Sequence, residues 1–127
     1  MRKFLLLPVL LFGWISAALA GEARSFSGDD FAAAQAAGRP IIVEIHASWC
    51  PICAKQKPIL SQLRETEFRD LVAFAIDFDS QKDLVAKFGA SKQSTLIVFK
   101  GEQEKGRMVG VTDAEAIKAL VQKAYGG

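Results

Sequence analysis

Two runs constrain this chain more than anything else in it: Ile41–Ala47 (IIVEIHA) and Leu71–Phe78 (LVAFAIDF) are nearly continuous apolar stretches, each too short for a helix of ordinary length. The first is crowded with β-branched residues, which fit a pleated, buried surface. Strands apolar on both faces need cover on both sides, the usual situation in a parallel sheet. Between the runs, from Cys50 onward, Ile59, Leu60, Leu63 and Phe68 recur at helical spacing, with Pro58 expected to kink the helix. Strand, helix and strand in that order imply a right-handed βαβ unit.

The flanking segments extend this unit. Ser27-Gly28-Asp29-Asp30 reads as a helix start, with Ser27 accepting a backbone N–H and Asp30 near the positive end, and Gly38-Arg39-Pro40 as its stop. Ser80 with Asp83 predicts another short helix through Leu84, Val85 and Phe88, ended by Gly89. Thr95–Phe99 and Arg107–Val111 read as a hairpin across a polar connection from Lys100 to Gly106. Thr112 with Glu115 forms a capping box for a last helix striped by Ala116, Ile117, Leu120, Val121 and Ala124. The expected class is α/β, a small mixed central sheet flanked by helices on both faces, in one domain.

The N-terminus reads as a signal peptide. Met1-Arg2-Lys3 is a short positive start, Phe4–Ile15 is apolar, and Ala18-Leu19-Ala20 supplies small residues where a signal peptidase reads them. Cleavage is expected after Ala20, leaving residues 21–127 as the domain and a periplasmic location. The alternative is a retained anchor, but Pro8, Gly13 and Ser16 interrupt a stretch already at the short limit for a span. Without Arg2 and Lys3, the 16 basic residues fall to fourteen against 14 acidic ones, so the mature chain has no footprint for nucleic acid.

Cys50 and Cys53 are the only cysteines, too few for a disulfide scaffold or a four-cysteine metal site. They lie where the first strand gives way to the long helix. There Cys50 meets free backbone N–H groups and the positive end of the helix dipole, which stabilise a thiolate. Pro51 suits the first helical position, and Cys53 falls most of a turn onward and deeper. Such a pair can exchange disulfides, the outer thiolate attacking and the inner one resolving. Three other readings stand beside this one. A structural disulfide would close too small a loop to stabilise much. An inert buried pair sits poorly at a polar helix start. His46, Cys50 and Cys53 together offer three metal ligands, one short of a closed tetrahedral zinc site.

The chain resembles the thioredoxin superfamily, and within it the exported thioredoxin-like proteins of the bacterial envelope. The likeness runs from about Phe26 to Ala124 and rests on Ile41–Ala47 followed by Ser48-Trp49-Cys50-Pro51-Ile52-Cys53, on Pro58-Ile59-Leu60, on Phe88-Gly89, and on Thr95-Leu96-Ile97-Val98-Phe99-Lys100-Gly101. It implies a thioredoxin fold, Cys50 as nucleophile and Cys53 as resolving thiol, with no bound cofactor. It also implies that Trp49, Pro51, Ile52, Gln93, Ser94 and Gly110 form the substrate surface, with Trp49 covering the disulfide. Glu44, six residues before Cys50, matches the family's buried acid, which would take and return the proton of Cys53. The competing reading is an edge-strand glutamate reaching water. His46 stands where the family usually has an aromatic residue, and is expected to pack rather than to bind a metal or to tune Cys50 by its charge, although an imidazolium nearby would favour the thiolate. Ser94 replaces the family's cis-proline. A cis bond before serine costs roughly 2.5 to 4 kcal/mol, so a trans bond and a rearranged loop are expected, at the place where the family offers its backbone to an extended substrate.

The expected function is a periplasmic thiol-disulfide oxidoreductase acting on protein disulfides, more as reductant than oxidant because Glu44 helps deprotonate the resolving thiol. Electrons would then come from a membrane partner. The alternatives are a thiol-based copper(I) chaperone using His46, Cys50 and Cys53, and a thioredoxin-fold module that binds without turnover.

Overall fold

The strand Pro40–His46 lies at the centre of the molecule, and Ile41, Ile42 and Val43 on it have no exposed surface. The computed structural model describes residues 22–126, so the leader and cleavage site expected within residues 1–21 lie outside the described residues. In chain order the elements are β1 (Arg24–Ser25), α1 (Gly28–Ala36), β2 (Pro40–His46), α2 (Pro51–Glu65), β3 (Val72–Asp77), α3 (Lys82–Lys87), β4 (Thr95–Lys100), β5 (Gln103–Val109) and α4 (Ala114–Lys123). The sheet order is β1-β3-β2-β4-β5. β2 and β3 pair in parallel through α2, as the two apolar runs require, while β4 joins β2 antiparallel and β5 closes the hairpin.

Side chains alternate across this sheet and build two cores. Ile42, Leu96 and Val98 meet Leu60 of α2 and Ile117, Leu120 and Val121 of α4 on one face. Ile41, Val43, Ile45, Phe74 and Ile97 meet Val85 of α3 and Phe31 of α1 on the other. Phe31 is the hub of that second face, with ring centroids 5.4 to 5.8 Å from Phe26, Phe74, Phe88 and Phe99. Each fully buried aliphatic side chain contributes roughly 1.5 to 3 kcal/mol, so β2, covered on both faces, is the firmest platform for whatever its C-terminal end presents.

Several boundaries differ from the sequence reading for local reasons. Ser27 caps α1 as expected, accepting from the Asp30 N–H at 3.3 Å. Ser80 does not cap α3. Its N–H and hydroxyl both donate to Asp77 Oδ1, forming an Asx turn, and Gln81 becomes the N-cap residue without a side-chain bond. At α4 the cap is Asp113 rather than Thr112, with Ala116 N–H donating to its carboxylate at 2.9 Å. A carboxylate one residue closer outcompetes the hydroxyl. The hairpin connection shrinks from Lys100–Gly106 to Gly101-Glu102, because Lys100 already pairs with Gln103 and Gly101 takes the left-handed turn at φ 57°. Gly106 therefore lies within β5, where a Cβ would come within 3.0 Å of Leu120 on α4. β1, two residues paired with β3, is too short to leave a periodic signal.

Candidate active site

β2 ends at His46, a turn follows in which Cys50 N–H donates to Ala47 O at 3.2 Å, and α2 begins. Cys50 is the N-cap residue of α2: its extended backbone stands outside the helix, and its Sγ accepts the Cys53 N–H at 3.1 Å. Pro51 occupies the first helical turn, where no N–H is missed. Cys53 comes round within one turn and is bonded to Cys50, with the two Cα atoms 5.3 Å apart. In the reduced protein the same N–H and the same helix end would face the Cys50 sulfur, and both favour its ionised form.

One expectation about these sulfurs fails. Cys50 is not the open member of the pair: it is 3% exposed and Cys53 9%. Ala47, Ile52 and Phe78 pack around them and close the flank that the sequence left open. Both cysteines instead line a cavity of ≈ 510 Å³, shared with Glu44, Gln56, Lys57 and Arg64 and bordered by exposed His46 and Ser48.

Glu44 sits on β2 between Ala75 of β3 and Leu96 of β4, so it is not on an edge strand and the water-reaching alternative does not hold. Its carboxylate lies 3.0 Å from Arg64 Nη1, both side chains being nearly buried, at 12% and 5% exposure. Burial pushes the Glu44 pKa above the usual carboxylate value, against the opposing pull of Arg64 and, more weakly, Lys57. Sequence reasoning missed Arg64, as it missed Gln56. Their signal was present: Cys53, Gln56, Leu60 and Arg64 follow a 3-4-4 spacing and form the buried face of α2. A lone acid in a buried strand also calls for a cation on the helix that covers it.

The remaining predicted residues fall as follows. Trp49, expected over the disulfide, is 56% exposed, and its indole N–H donates to Asp79 Oδ2 at 2.7 Å, tying it to the loop after β3. His46 is exposed at the end of β2, in register with Asp77, so it is not a packing histidine. Among the described residues no group of three or more His, Cys, Asp or Glu side chains is placed to hold a metal ion, with Cys50 and Cys53 bonded to each other. Pro51 is exposed and Ile52 half-buried at the start of α2, while Gln93 is half-buried and Gly110 exposed. The bond before Ser94 is trans, as expected, and Ser94 takes a left-handed conformation at φ 61°. Its N–H donates to Ile45 O at 2.8 Å, and its carbonyl accepts from Gly110 N–H at 3.1 Å.

The Glu44–Arg64 pair yields a test with a sign. A carboxyl whose folded pKa is raised above its unfolded value loses stabilising influence as pH climbs from that unfolded value through the folded one. Arg64→Met removes the cation that lowers it, so Glu44 should ionise at still higher pH. The variant should lose about 3 kcal/mol at neutral pH and less near pH 4, below the ordinary carboxylate value from which burial raises Glu44, where the protonated form gains weight in both proteins. Denaturant unfolding at both pH values measures this, and an equal loss at each contradicts the coupling.

The thioredoxin family model matches residues 23–123. Thioredoxin from Chlamydia muridarum is 33% identical over 97 residues, covering 76% of this chain and 93% of that protein. Mitochondrial thioredoxin from Mus musculus is 26% identical over 87 residues, 68% of this chain and 52% of that longer protein. Among solved structures, Trxlp from Edwardsiella tarda superposes with a TM-score of 0.75 at 37% identity, covering 79% of this chain and 98% of its own. A match over nearly all the described residues, built around a cysteine pair bonded across the first turn of α2, makes this chain a member of the thioredoxin family and a thioredoxin-like disulfide oxidoreductase.

Proposed function

We propose that the protein is an exported, periplasmic thiol-disulfide oxidoreductase that reduces disulfides in protein substrates. The observation that carries the chemistry is Cys50 Sγ at the N-cap of α2, bonded to Cys53 and accepting its N–H. In the reduced protein the Cys50 thiolate attacks one sulfur of a substrate disulfide. A mixed disulfide forms and one substrate thiolate leaves. Cys53, its proton taken by the Glu44 carboxylate, then attacks Cys50 Sγ, closing the Cys50–Cys53 disulfide and expelling the second substrate thiolate. Two electrons pass from the cysteines to the substrate, and a dithiol donor must return them. No bound cofactor is needed.

The reductant direction is supported by Glu44, whose carboxylate can take the proton of the resolving thiol and whose burial raises its pKa above the ordinary carboxylate value, the direction such an exchange needs. Export is supported by the leader-like residues 1–20 and by the small residues Ala18 and Ala20. In an oxidising compartment the electrons would come from a donor held in the membrane. Trp49, Pro51, Ile52, Gln93 and Gly110 are the residues we assign to substrate contact, around the end of the sheet where the disulfide lies; Ser94, buried and with its N–H and carbonyl already bonded within the fold, shapes that surface from beneath.

Insulin reduction driven by dithiothreitol tests the activity. The wild-type protein should accelerate it, Cys50→Ser should fall to the uncatalysed rate, and Cys53→Ser should accumulate a covalent adduct with the substrate. A Cys50→Ser protein as active as wild type would contradict the assignment. For export, the full chain expressed in a bacterium with an outer membrane should be recovered from the periplasm beginning at Gly21; recovery from the cytosol with the leader attached would contradict it.

A further inference from the structure

Gln56 lies one turn beyond Cys53 on the buried face of α2 and is 3% exposed. A buried amide has to place its N–H groups, and this one places both on main-chain carbonyls. Nε2 donates to Val111 O at 3.0 Å and to Ser94 O at 3.3 Å. Those carbonyls belong to different segments, one entering β4 and one leaving β5. Ser94 is the sole non-glycine residue with positive φ among the described residues, and such a conformation persists where its surroundings hold it. Its bonds to Ile45 and Gly110 continue the ladders of the sheet. The bond from Gln56 is of another kind, because it runs to the helix that carries the disulfide.

We propose that Gln56 is a positioning residue that fixes the Gln93–Thr95 loop and the Gly110–Val111 segment against the cysteine-bearing turn of α2, and so sets how well polypeptide disulfides dock compared with small ones. The proposal rests on the disulfide-exchange reading above. A polypeptide laid along this loop in extended form uses main-chain groups that must already be in place, and a small displacement costs it contacts. A small disulfide offers little besides its sulfurs and depends on the loop far less. The serine at position 94 lacks the ring that would stiffen the loop from within. The Gln56 amide supplies the restraint from the neighbouring helix instead.

Gln56→Met keeps the length and removes both donors. Its kcat/KM should be measured with insulin and with a small aromatic disulfide, beside wild type and Gln56→Glu, which keeps the shape and has at most one donor. The ratio of the two kcat/KM values, insulin over the small disulfide, should fall about tenfold in Gln56→Met, with the loss carried by KM. Amide exchange at Ser94 and Gly110 should quicken relative to Ile42 and Val98 in the core strands. If Gln56→Met does not fold, Gln56→Glu is expected to shift the ratio in the same direction. An unchanged ratio, whether both substrates suffer equally or neither does, overturns the proposal. A wild-type protein inactive on both substrates would instead remove the exchange reading itself, and this inference with it.

Discussion

Everything functional in this molecule depends on how α2 starts. Cys50 stands one turn beyond the end of β2, a strand buried on both faces and paired on both edges. Its sulfur takes the place that a serine or aspartate oxygen takes at other helix N-termini, accepting a backbone N–H that would otherwise lack a partner. A sulfur in that position is held by the fold rather than by its own rotamer preference. The same geometry that closes the disulfide is therefore the geometry that would favour a thiolate once the disulfide is opened.

Behind this turn the protein keeps polar groups where an apolar core would serve packing better. Glu44 and Arg64 form a nearly buried pair, and Gln56 is bonded to two carbonyls. Exchanging such groups for hydrophobic ones of like volume is often neutral or stabilising, so their presence beside the cysteines is better explained by function than by stability. Each links α2 to a different part of the sheet. Arg64 reaches the acid on β2, and Gln56 reaches the segments next to β4 and β5. The helix that bears the disulfide is thereby tied to the sheet at two depths, through Arg64 to Glu44 and, nearer the cysteines, through Gln56 to the Ser94 and Val111 carbonyls.

Much of this was legible in the sequence, for physical reasons that also mark where reading stopped. β2 and β3 declared themselves because a strand covered on both faces must be apolar throughout. The Cys-Pro-Ile-Cys segment could be placed at a helix start because Pro51 and the preceding strand both demanded it. Caps were harder: Ser80 and Thr112 each have a competing carboxylate nearby, in Asp77 and Asp113, and only the folded backbone decides between them. Arg64 and Gln56 stayed hidden because polar side chains on a helix usually face water. The burial of Cys50 came from Phe78, twenty-five residues beyond Cys53 and brought there by the sheet.

The central claim is that the start of α2 holds the Cys50 sulfur as a thiolate in the reduced protein. Thiolate ultraviolet absorbance, followed against pH in the reduced wild-type protein and in Cys53→Ser, reads this directly. Ionisation of Cys50 well below about 8.5, the value of a free cysteine, is the predicted result; ionisation at or above that value would contradict the account.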